Sequence, residues 1–214
     1  SDGLFFGKLG AQRLAFLPRH GRGHRIPPDE IHYRANIDAL KRAGAKEIVS
    51  VASVGSIRCD LSPGTLVVPH QIIDYTWGRE ATFFEGGDTA VRHVDFTHPY
   101  DGALRARLLA AAQAADDHAV DGAVYAATQG PRLETAAEVD RLERDGADLI
   151  GMTGMPEAAL ARELELPYAA LNVVVNFAAG RVDSAEGIPF DDLETVLQDS
   201  MARVHNILQW ICKV

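Results

Sequence analysis

The sequence predicts an α/β fold in which helices flank a largely parallel or mixed central sheet. Apolar segments typical of buried strands alternate along the chain with segments of helical periodicity. The composition is that of an ordinary globular protein, with 47% hydrophobic and 24% charged residues. The chain has 214 residues and contains no internal repeat, low-complexity tract or linker-like change in composition. We therefore expect a single domain over residues 1–214 with a sizeable core.

Five apolar segments predict strands, and glycine or proline turns delimit several of them. In chain order these segments are 14–17, 47–51, 65–68, 123–127 and 168–175. Segment 65–68 is short, but it directly follows a Pro63-Gly64 turn, which is a usual start of a new element.

Four segments predict helices, namely 29–43, 104–115, 135–145 and 190–211. The first and third end at Gly44 and Gly146, which are usual residues after a helix C-terminus. The fourth carries a continuous apolar stripe, from which we expect it to dock on the sheet. Segment 75–99 fits neither pattern. A loop of this length in a compact domain is usually functional or part of an interface.

Charge and cysteine content exclude several classes of function. The formal net charge is −9 at pH 7, without the basic surface that nucleic-acid binding requires. Cys59 and Cys212 have neither zinc-site spacing nor the number expected of a disulfide scaffold. No apolar run is long enough to span a membrane, and the N-terminal residues do not form a signal peptide. We expect a cytoplasmic protein that binds neither nucleic acid nor membrane.

A basic loop follows the first predicted strand and is the best candidate for an anion site. Its sequence RHGRGH places His20 and His24 four residues apart, as in some metal sites, but the intervening glycines disfavour a helix and the arginines repel a cation. Arginine side chains and glycine-exposed backbone N–H groups suit phosphate oxygens instead. The alternative is an ordinary solvated basic loop.

Four further blocks are candidate ligand contacts, and all of them except GMTGMPE follow a predicted strand, the place where ligand sites of α/β proteins gather. ASVGS, residues 52–56, offers small residues that allow close approach of a ligand, and TQGPRLET, residues 128–135, presents Glu134 near a helix start. GMTGMPE, residues 151–157, places Met152 and Thr153 before a helix entered at Pro156, and Asn176 ends an apolar run. The structural alternatives are a helix-dipole glutamate, a core methionine and a strand-ending asparagine.

Together these blocks resemble one family over nearly the whole chain and in the same order. FLPRHGRGHRIPPDEIHYRANI, VASVGS, TQGPRLETAAE and GMTGMPEAALARE closely resemble the trimeric purine nucleoside phosphorylase and methylthioadenosine phosphorylase family. The resemblance implies a phosphorylase fold with a central mixed sheet, a homotrimer with sites near subunit interfaces, and reversible phosphorolysis of a purine nucleoside. It implies inorganic phosphate as co-substrate, and neither a metal nor an organic cofactor.

The resemblance also implies a role for each matching residue. Glu134 and Asn176 are the catalytic pair that hold the purine base. The phosphate-binding residues are Arg19, His20, Ala52, Ser53 and Thr153, and the remaining substrate-binding residues are Leu133 against the base, Met152 against the ribose, and His93, which reaches the site of the neighbouring subunit.

The base-contacting pair bears on which purine is cleaved. A 6-oxopurine presents N1–H as a donor and O6 as an acceptor, which suits the Glu134 carboxylate and the Asn176 amide. Family members that cleave methylthioadenosine carry an aspartate at the position of Asn176 and another at that of Ala178, and they lack the glutamate. The sequence therefore predicts a 6-oxopurine nucleoside.

The 5′ end of the nucleoside is predicted from an absent histidine. Relatives that accept inosine and guanosine place a histidine beyond the asparagine, whereas this chain has the apolar Ile188 and Phe190. A 5′-methylthio group fits these better, which predicts S-methyl-5′-thioinosine as substrate, with hypoxanthine and 5-methylthioribose 1-phosphate as products. The alternatives are an inosine and guanosine phosphorylase, a methylthioadenosine phosphorylase, a nucleosidase that uses water, and a catalytically silent trimer that only binds nucleosides.

The beginning of the chain departs from the family pattern. Members of the family start with a strand and a glycine-rich turn whose serine or threonine contacts phosphate. Residues 1–4 resemble the end of the loop that follows. We therefore expect this chain to lack that strand and turn, which leaves the phosphate site incomplete and one sheet edge exposed.

Overall fold

Nine strands and five α-helices make up the part of the chain that the computed structural model describes, residues 2–87 and 90–213 without the side chains of 190–192 and 194. The strands are β1 (Phe5–Leu9), β2 (Gln12–Phe16), β3 (Ile48–Ser56), β4 (Leu66–Val68), β5 (Gln71–Asp74), β6 (Ala119–Asp121), β7 (Val124–Ala127), β8 (Leu149–Gly151) and β9 (Tyr168–Phe177). The helices are α1 (Tyr33–Arg42), α2 (Gly102–Ala114), α3 (Ala136–Arg144), α4 (Glu157–Glu163) and α5 (Phe190–Ile211).

Seven strands form one mixed sheet in the order β5-β7-β8-β3-β9-β4-β6. The pairs β5–β7, β7–β8, β3–β9 and β4–β6 are parallel, whereas β3–β8 and β4–β9 are antiparallel. β1 and β2 form a separate antiparallel hairpin. The prediction of an α/β fold with a mixed sheet is confirmed.

The central strand β9 divides the core into two halves, because successive side chains of a strand point to opposite faces. Tyr168, Ala170 and Val174 pack in a cluster with residues of α1 and α4. Ala169, Leu171 and Val173 pack in a second cluster with α2 and α5. Helices therefore cover both faces of the sheet, and the stripe of α5 docks as expected. None of the helices described here is long and apolar enough to cross a membrane.

The predicted elements are all present, with one correction. Segment 29–43 is not one continuous helix: Pro28–Glu30 forms a short 3-10 turn, Ile31 is extended, and α1 begins only at Tyr33. The prolines at 27 and 28 favour that separate turn because their φ angles are fixed. Sequence patterns missed β1, β5, β6 and β8, of which β6 and β8 have only three residues each.

Candidate active site

The loops that follow the parallel neighbours β7 and β8 form one wall of the candidate site. Thr128 N–H donates to Gly151 O at 2.8 Å, so the two strand ends stay together. Gly130 has φ +62°, and a Cβ atom there would collide with the Met152 sulfur. Only glycine allows this approach. The TQGPRLET and GMTGMPE blocks are therefore adjacent in the structure.

The basic loop after β2 forms the opposite wall. Between the two walls lies a cleft of about 290 Å³, lined by His24, Arg25, Ile26, Pro27, Pro28, Pro131 and Met152. Met152 is therefore half-exposed to a cavity and is not an ordinary core methionine. Sequence reasoning assigned no substrate role to His24 or Pro28, although both lie in or directly after the motif that it singled out.

His20 and His24 stack on each other with ring centroids 4.1 Å apart. His20 Nδ1 lies 2.9 Å from Ile26 O, so the neutral tautomer that carries its proton on Nδ1 donates there and leaves Nε2 as an acceptor. Burial lowers the pKa of His20, and the nearby His24 and Arg19 act in the same direction. Among the described residues no group of three or more His, Cys, Asp or Glu side chains is arranged to hold a metal ion.

Arg19 makes more hydrogen bonds within the protein than the sequence predicted. Its Nη1 donates to Glu157 Oε1 at 2.5 Å and to Ser50 Oγ at 3.0 Å, and Nη2 donates to Val51 O at 2.8 Å. Burial disfavours the charged guanidinium, but Glu157, Tyr168 and Tyr125 together outweigh this and raise the pKa of Arg19. Tyr168 Oη donates to the same carboxylate oxygen at 2.8 Å. The Arg19 guanidinium, whose N–H groups were expected to bind phosphate, is therefore largely engaged in a buried ion pair with Glu157.

The other predicted phosphate ligands lie around this ion pair. Ala52 and Ser53 directly follow the β3 residues that Arg19 contacts, and Ser53 is exposed. Thr153 is buried, and its N–H donates to Tyr125 Oη at 3.3 Å. Glu157, which binds Arg19, lies four residues after Thr153, so β3 and the loop that leads into α4 bring these residues to one region.

Glu134 lies just before α3, where its carboxylate, after that of Glu138, helps to raise the pKa of Arg132. Thr135 caps the helix through its hydroxyl, Glu138 returns the contact to the Thr135 N–H, and Arg132 binds Glu138 at 2.7 and 2.8 Å. Glu138 thus fills the helix-terminal role considered for Glu134. The half-buried Glu134 side chain makes no hydrogen bond within the described part of the chain, which leaves it available to a ligand.

Asn176 is the penultimate residue of β9. It is buried, and its Nδ2 donates to Phe177 O at 2.6 Å. The chain after β9 docks on α3: a Cβ atom at Gly180 would lie 2.8 Å from Ala136 Cβ, and Arg181 pairs with acidic side chains of α3. This docking brings the chain that follows Asn176 against the helix that follows Glu134.

The remaining predicted substrate contacts are not assembled into the cleft. Leu133 is exposed, and Ile188 is half-buried in the loop before α5. His93 is exposed in loop 75–99. None of these three lines the cleft. The side chain of Phe190 lies outside the described residues.

Sequence reasoning missed Arg79, which lies in loop 75–99. Its guanidinium donates to main-chain carbonyls of both loops that form the first wall of the cleft. The only sequence signal was the length of the loop, which does not single out one residue.

Comparison with known proteins adds independent findings. A model of the Phosphorylase superfamily matches residues 2–212. A probable S-methyl-5′-thioinosine phosphorylase of Pseudomonas syringae pv. tomato is 53% identical over 204 residues, which cover 95% of this chain and 82% of the relative. A 6-oxopurine nucleoside phosphorylase of Pyrococcus furiosus is 45% identical over 179 residues, covering 81% and 68%. A solved methylthioadenosine phosphorylase from Schistosoma mansoni, in complex with adenine, matches with a TM-score of 0.90 at 32% identity, covering 97% and 78%.

Proposed function

The chain belongs to the Phosphorylase superfamily, and from this membership we propose that it catalyses the reversible phosphorolysis of a purine nucleoside. A phosphate oxygen forms a bond to ribose C1′ while the bond from C1′ to purine N9 breaks. The electron pair of that bond leaves with the base, which takes up a proton. The observation that carries the proposal is the cleft in which the basic loop faces the loops carrying Met152 and Glu134.

The phosphate half of the site has to place an anion beneath C1′. The hydroxyl groups of Ser53 and Thr153 supply donors for phosphate oxygens, beside the cationic edge of Arg19. With its Nδ1–H held by Ile26 O, neutral His20 offers Nε2 as an acceptor for a P–OH group. We assign these four residues to phosphate, with Ala52 supplying backbone contact.

The base half has to stabilise the purine as it departs from an oxocarbenium-like ribose. The Glu134 carboxylate accepts from N1–H of a 6-oxopurine, and its lack of another hydrogen bond suits that role. The contact from Asn176 Nδ2 to Phe177 O orients the amide and leaves its second N–H for the base. Interactions that strengthen as charge develops on the leaving base lower the barrier to bond breaking.

Within this class we propose S-methyl-5′-thioinosine as the substrate, with hypoxanthine and 5-methylthioribose 1-phosphate as products. The Glu134 and Asn176 pair supports a 6-oxopurine, and Ile188 with Phe190 supports an apolar 5′ substituent. The name of the Pseudomonas relative agrees with both features. A second candidate is an inosine and guanosine phosphorylase, which the 6-oxopurine nucleoside phosphorylase relative favours.

The deciding experiment measures turnover of S-methyl-5′-thioinosine, inosine and S-methyl-5′-thioadenosine, each with and without phosphate. We expect turnover only with phosphate, because phosphate is the nucleophile. Burial of the methylthio group, together with the unpaired hydroxyl of inosine, is worth about 1–3 kcal/mol. S-methyl-5′-thioinosine should then exceed inosine by about tenfold or more in kcat/KM. Equal use of inosine selects the second candidate, turnover without phosphate identifies a nucleosidase, and binding without turnover identifies a silent binder.

A further inference from the structure

The guanidinium group of Arg79 links the two loops that form the first wall of the cleft. Nη1 donates to Met152 O at 2.8 Å and to Met155 O at 2.6 Å, both in the loop after β8. Nη2 donates to Gln129 O at 2.9 Å in the loop after β7. The Tyr33 hydroxyl accepts a further contact at 3.2 Å, and the Tyr33 ring lies 5.3 Å from the guanidinium carbon.

The polar contacts of Arg79 are made with carbonyl and hydroxyl groups. No ion pair joins it to any carboxylate in the described part of the chain, and its buried Nε lacks a hydrogen-bond partner there. Arg34 of α1 provides the contrast, because it binds Glu80 at 2.5 Å and Glu85 at 2.7 Å in the same long loop. Arg34 attaches the loop through charges, whereas Arg79 organises main-chain carbonyls of the cleft.

The peptide groups that Arg79 holds adjoin the proposed substrate contacts. The Met152 carbonyl belongs to the residue assigned to ribose and directly precedes Thr153, which is assigned to phosphate. Gln129 begins the loop that leads to Glu134, which is assigned to the base. Arg79 therefore sets the distance between the loop after β8, which carries the phosphate and ribose contacts, and the loop after β7, which leads to the base contact.

We propose that Arg79 is a positioning residue that fixes these two loops relative to each other for phosphorolysis; this inference rests on the function proposed above. Its two terminal nitrogens reach different loops at once. A lysine at this position presents one compact ammonium group and cannot span both. Linking the two loops therefore requires the planar shape of the guanidinium group as well as its positive charge.

The first test compares Arg79→Met and Arg79→Lys with the matched control Arg34→Met. Misplacement of reacting groups by about 1 Å can cost about a hundredfold in rate. We expect both Arg79 variants to lose about a hundredfold in kcat/KM and to raise KM for phosphate and nucleoside together. The control removes two partly exposed ion pairs and should stay within about threefold of the parent. Added guanidinium ion should restore part of the activity of Arg79→Met.

A second measurement needs no substrate and so separates this inference from the proposed reaction. Hydrogen exchange should quicken in segments 128–131 and 151–155 of both Arg79 variants, whereas Arg34→Met should quicken exchange around 80–85 only. Arg79 variants that match Arg34→Met in exchange and in kcat/KM overturn the inference. A rise in KM for only one of the two substrates overturns the coupling of the loops. A parent enzyme without phosphorolysis, but with the expected exchange pattern, refutes the proposed reaction and leaves the loop linkage supported.

Discussion

At the scale of single residues, the Arg19–Glu157 pair has the clearest energetic consequence. Both side chains are almost completely buried, with 12% and 8% of their surface exposed. Removing one partner of a buried ion pair leaves an uncompensated charge and costs about 3–5 kcal/mol. We therefore expect Arg19→Met to lower the free energy of unfolding by that amount. Arg19→Met combined with Glu157→Gln should recover most of the loss, measured by urea unfolding at pH 7.

The same pair of variants separates stability from binding. If Arg19 also contacts phosphate through its remaining N–H groups, the folded double variant should show a higher KM for phosphate and an unchanged KM for nucleoside. Strictly additive effects of the two substitutions on stability would contradict the pairing seen in the structure.

Asn176 gives a prediction about which purine is cleaved. Asn176→Asp should shift the ratio of kcat/KM from S-methyl-5′-thioinosine toward S-methyl-5′-thioadenosine, because a carboxylate accepts from the 6-amino group where the amide donated to O6. A buried hydrogen bond gained or lost is worth about 1–3 kcal/mol, or roughly five- to a hundredfold in relative specificity. The switch should be partial since Glu134 still favours N1–H. Asn206→Asp, at an exposed amide on α5, serves as the control, and an unchanged ratio in Asn176→Asp means that this residue does not contact the base.

The sequence located the residues that carry candidate chemistry better than it located their partners. Asn176 and the block that carries Glu134 could be singled out because each follows a predicted apolar strand, and Met152 because it lies between glycines before a helix start; all of these patterns are local. Glu157 lies 138 positions from Arg19, and Arg79 lies 50 to 76 positions from the carbonyls that it binds. Such pairings form only when the chain folds, so no spacing in the sequence indicates them.

At the scale of elements, the N-terminus of α3 links helix stability to the base contact. The pKa of Glu138 is lowered to about 2, first by its hydrogen bonds from Arg132 and then by the Thr135 N–H. A carboxyl group whose pKa is lower in the folded protein stabilises it fully above its unfolded pKa of 4.5, and this contribution is lost as the pH falls toward 2. Glu138→Gln should therefore flatten the dependence of unfolding free energy on pH between those values. An unchanged pH profile would contradict the capping box.

Substitution of Glu134 should affect catalysis, whereas substitution of Glu138, four residues further on, should affect stability. Glu134→Gln should lower kcat/KM for the 6-oxopurine nucleoside by roughly five- to a hundredfold, because the acceptor for N1–H is weakened, and leave thermal stability unchanged. Glu138→Gln should lower stability and change kcat/KM far less. Steady-state kinetics and thermal unfolding of both variants check the distinction, and a reversed pattern would show that Glu134 serves the helix.

Element prediction succeeded where a pattern was long and failed where it was short. The apolar run 168–175 is the longest of the predicted strands, and it became the ten-residue strand β9, which is buried almost throughout. β6 and β8 have three residues each and owe their strand conformation to pairing with β4 and β7, which no local pattern reveals. The early part of segment 29–43 satisfied helical periodicity, but the backbone is extended at Ile31.

At the scale of the whole molecule, the predicted α/β phosphorylase fold is confirmed by the mixed sheet and by the match to a solved methylthioadenosine phosphorylase. Segment 75–99 contains no helix or strand within its described residues, as expected. It is nevertheless tightly attached. Glu163 of α4 accepts from Thr82 Oγ1 at 2.6 Å and from Phe83 N–H at 2.7 Å, and Arg92 pairs with Glu165 at 2.8 Å.

This attachment bears on the homotrimer that the family resemblance implies. His93 follows Arg92 directly, and its exposed ring takes part in no hydrogen bond, ion pair or ring contact within the described residues. A fixed loop that presents an unused histidine at the surface suits a side chain completing the site of a neighbouring subunit. We propose this role for His93, which makes each active site dependent on two chains.

Mixed subunits test that arrangement directly. His93→Ala and Asn176→Ala should each be nearly inactive as homo-oligomers. Their co-expression should restore activity, because an Asn176→Ala subunit donates an intact His93 to the site of a His93→Ala subunit. With random assembly in a closed ring, about a quarter of the sites contain both native residues, so about a quarter of the parental activity should return. Light scattering on the same sample measures the number of subunits. Activity no higher than the mean of the two variant homo-oligomers would mean that His93 contributes to the site of its own chain or to no site.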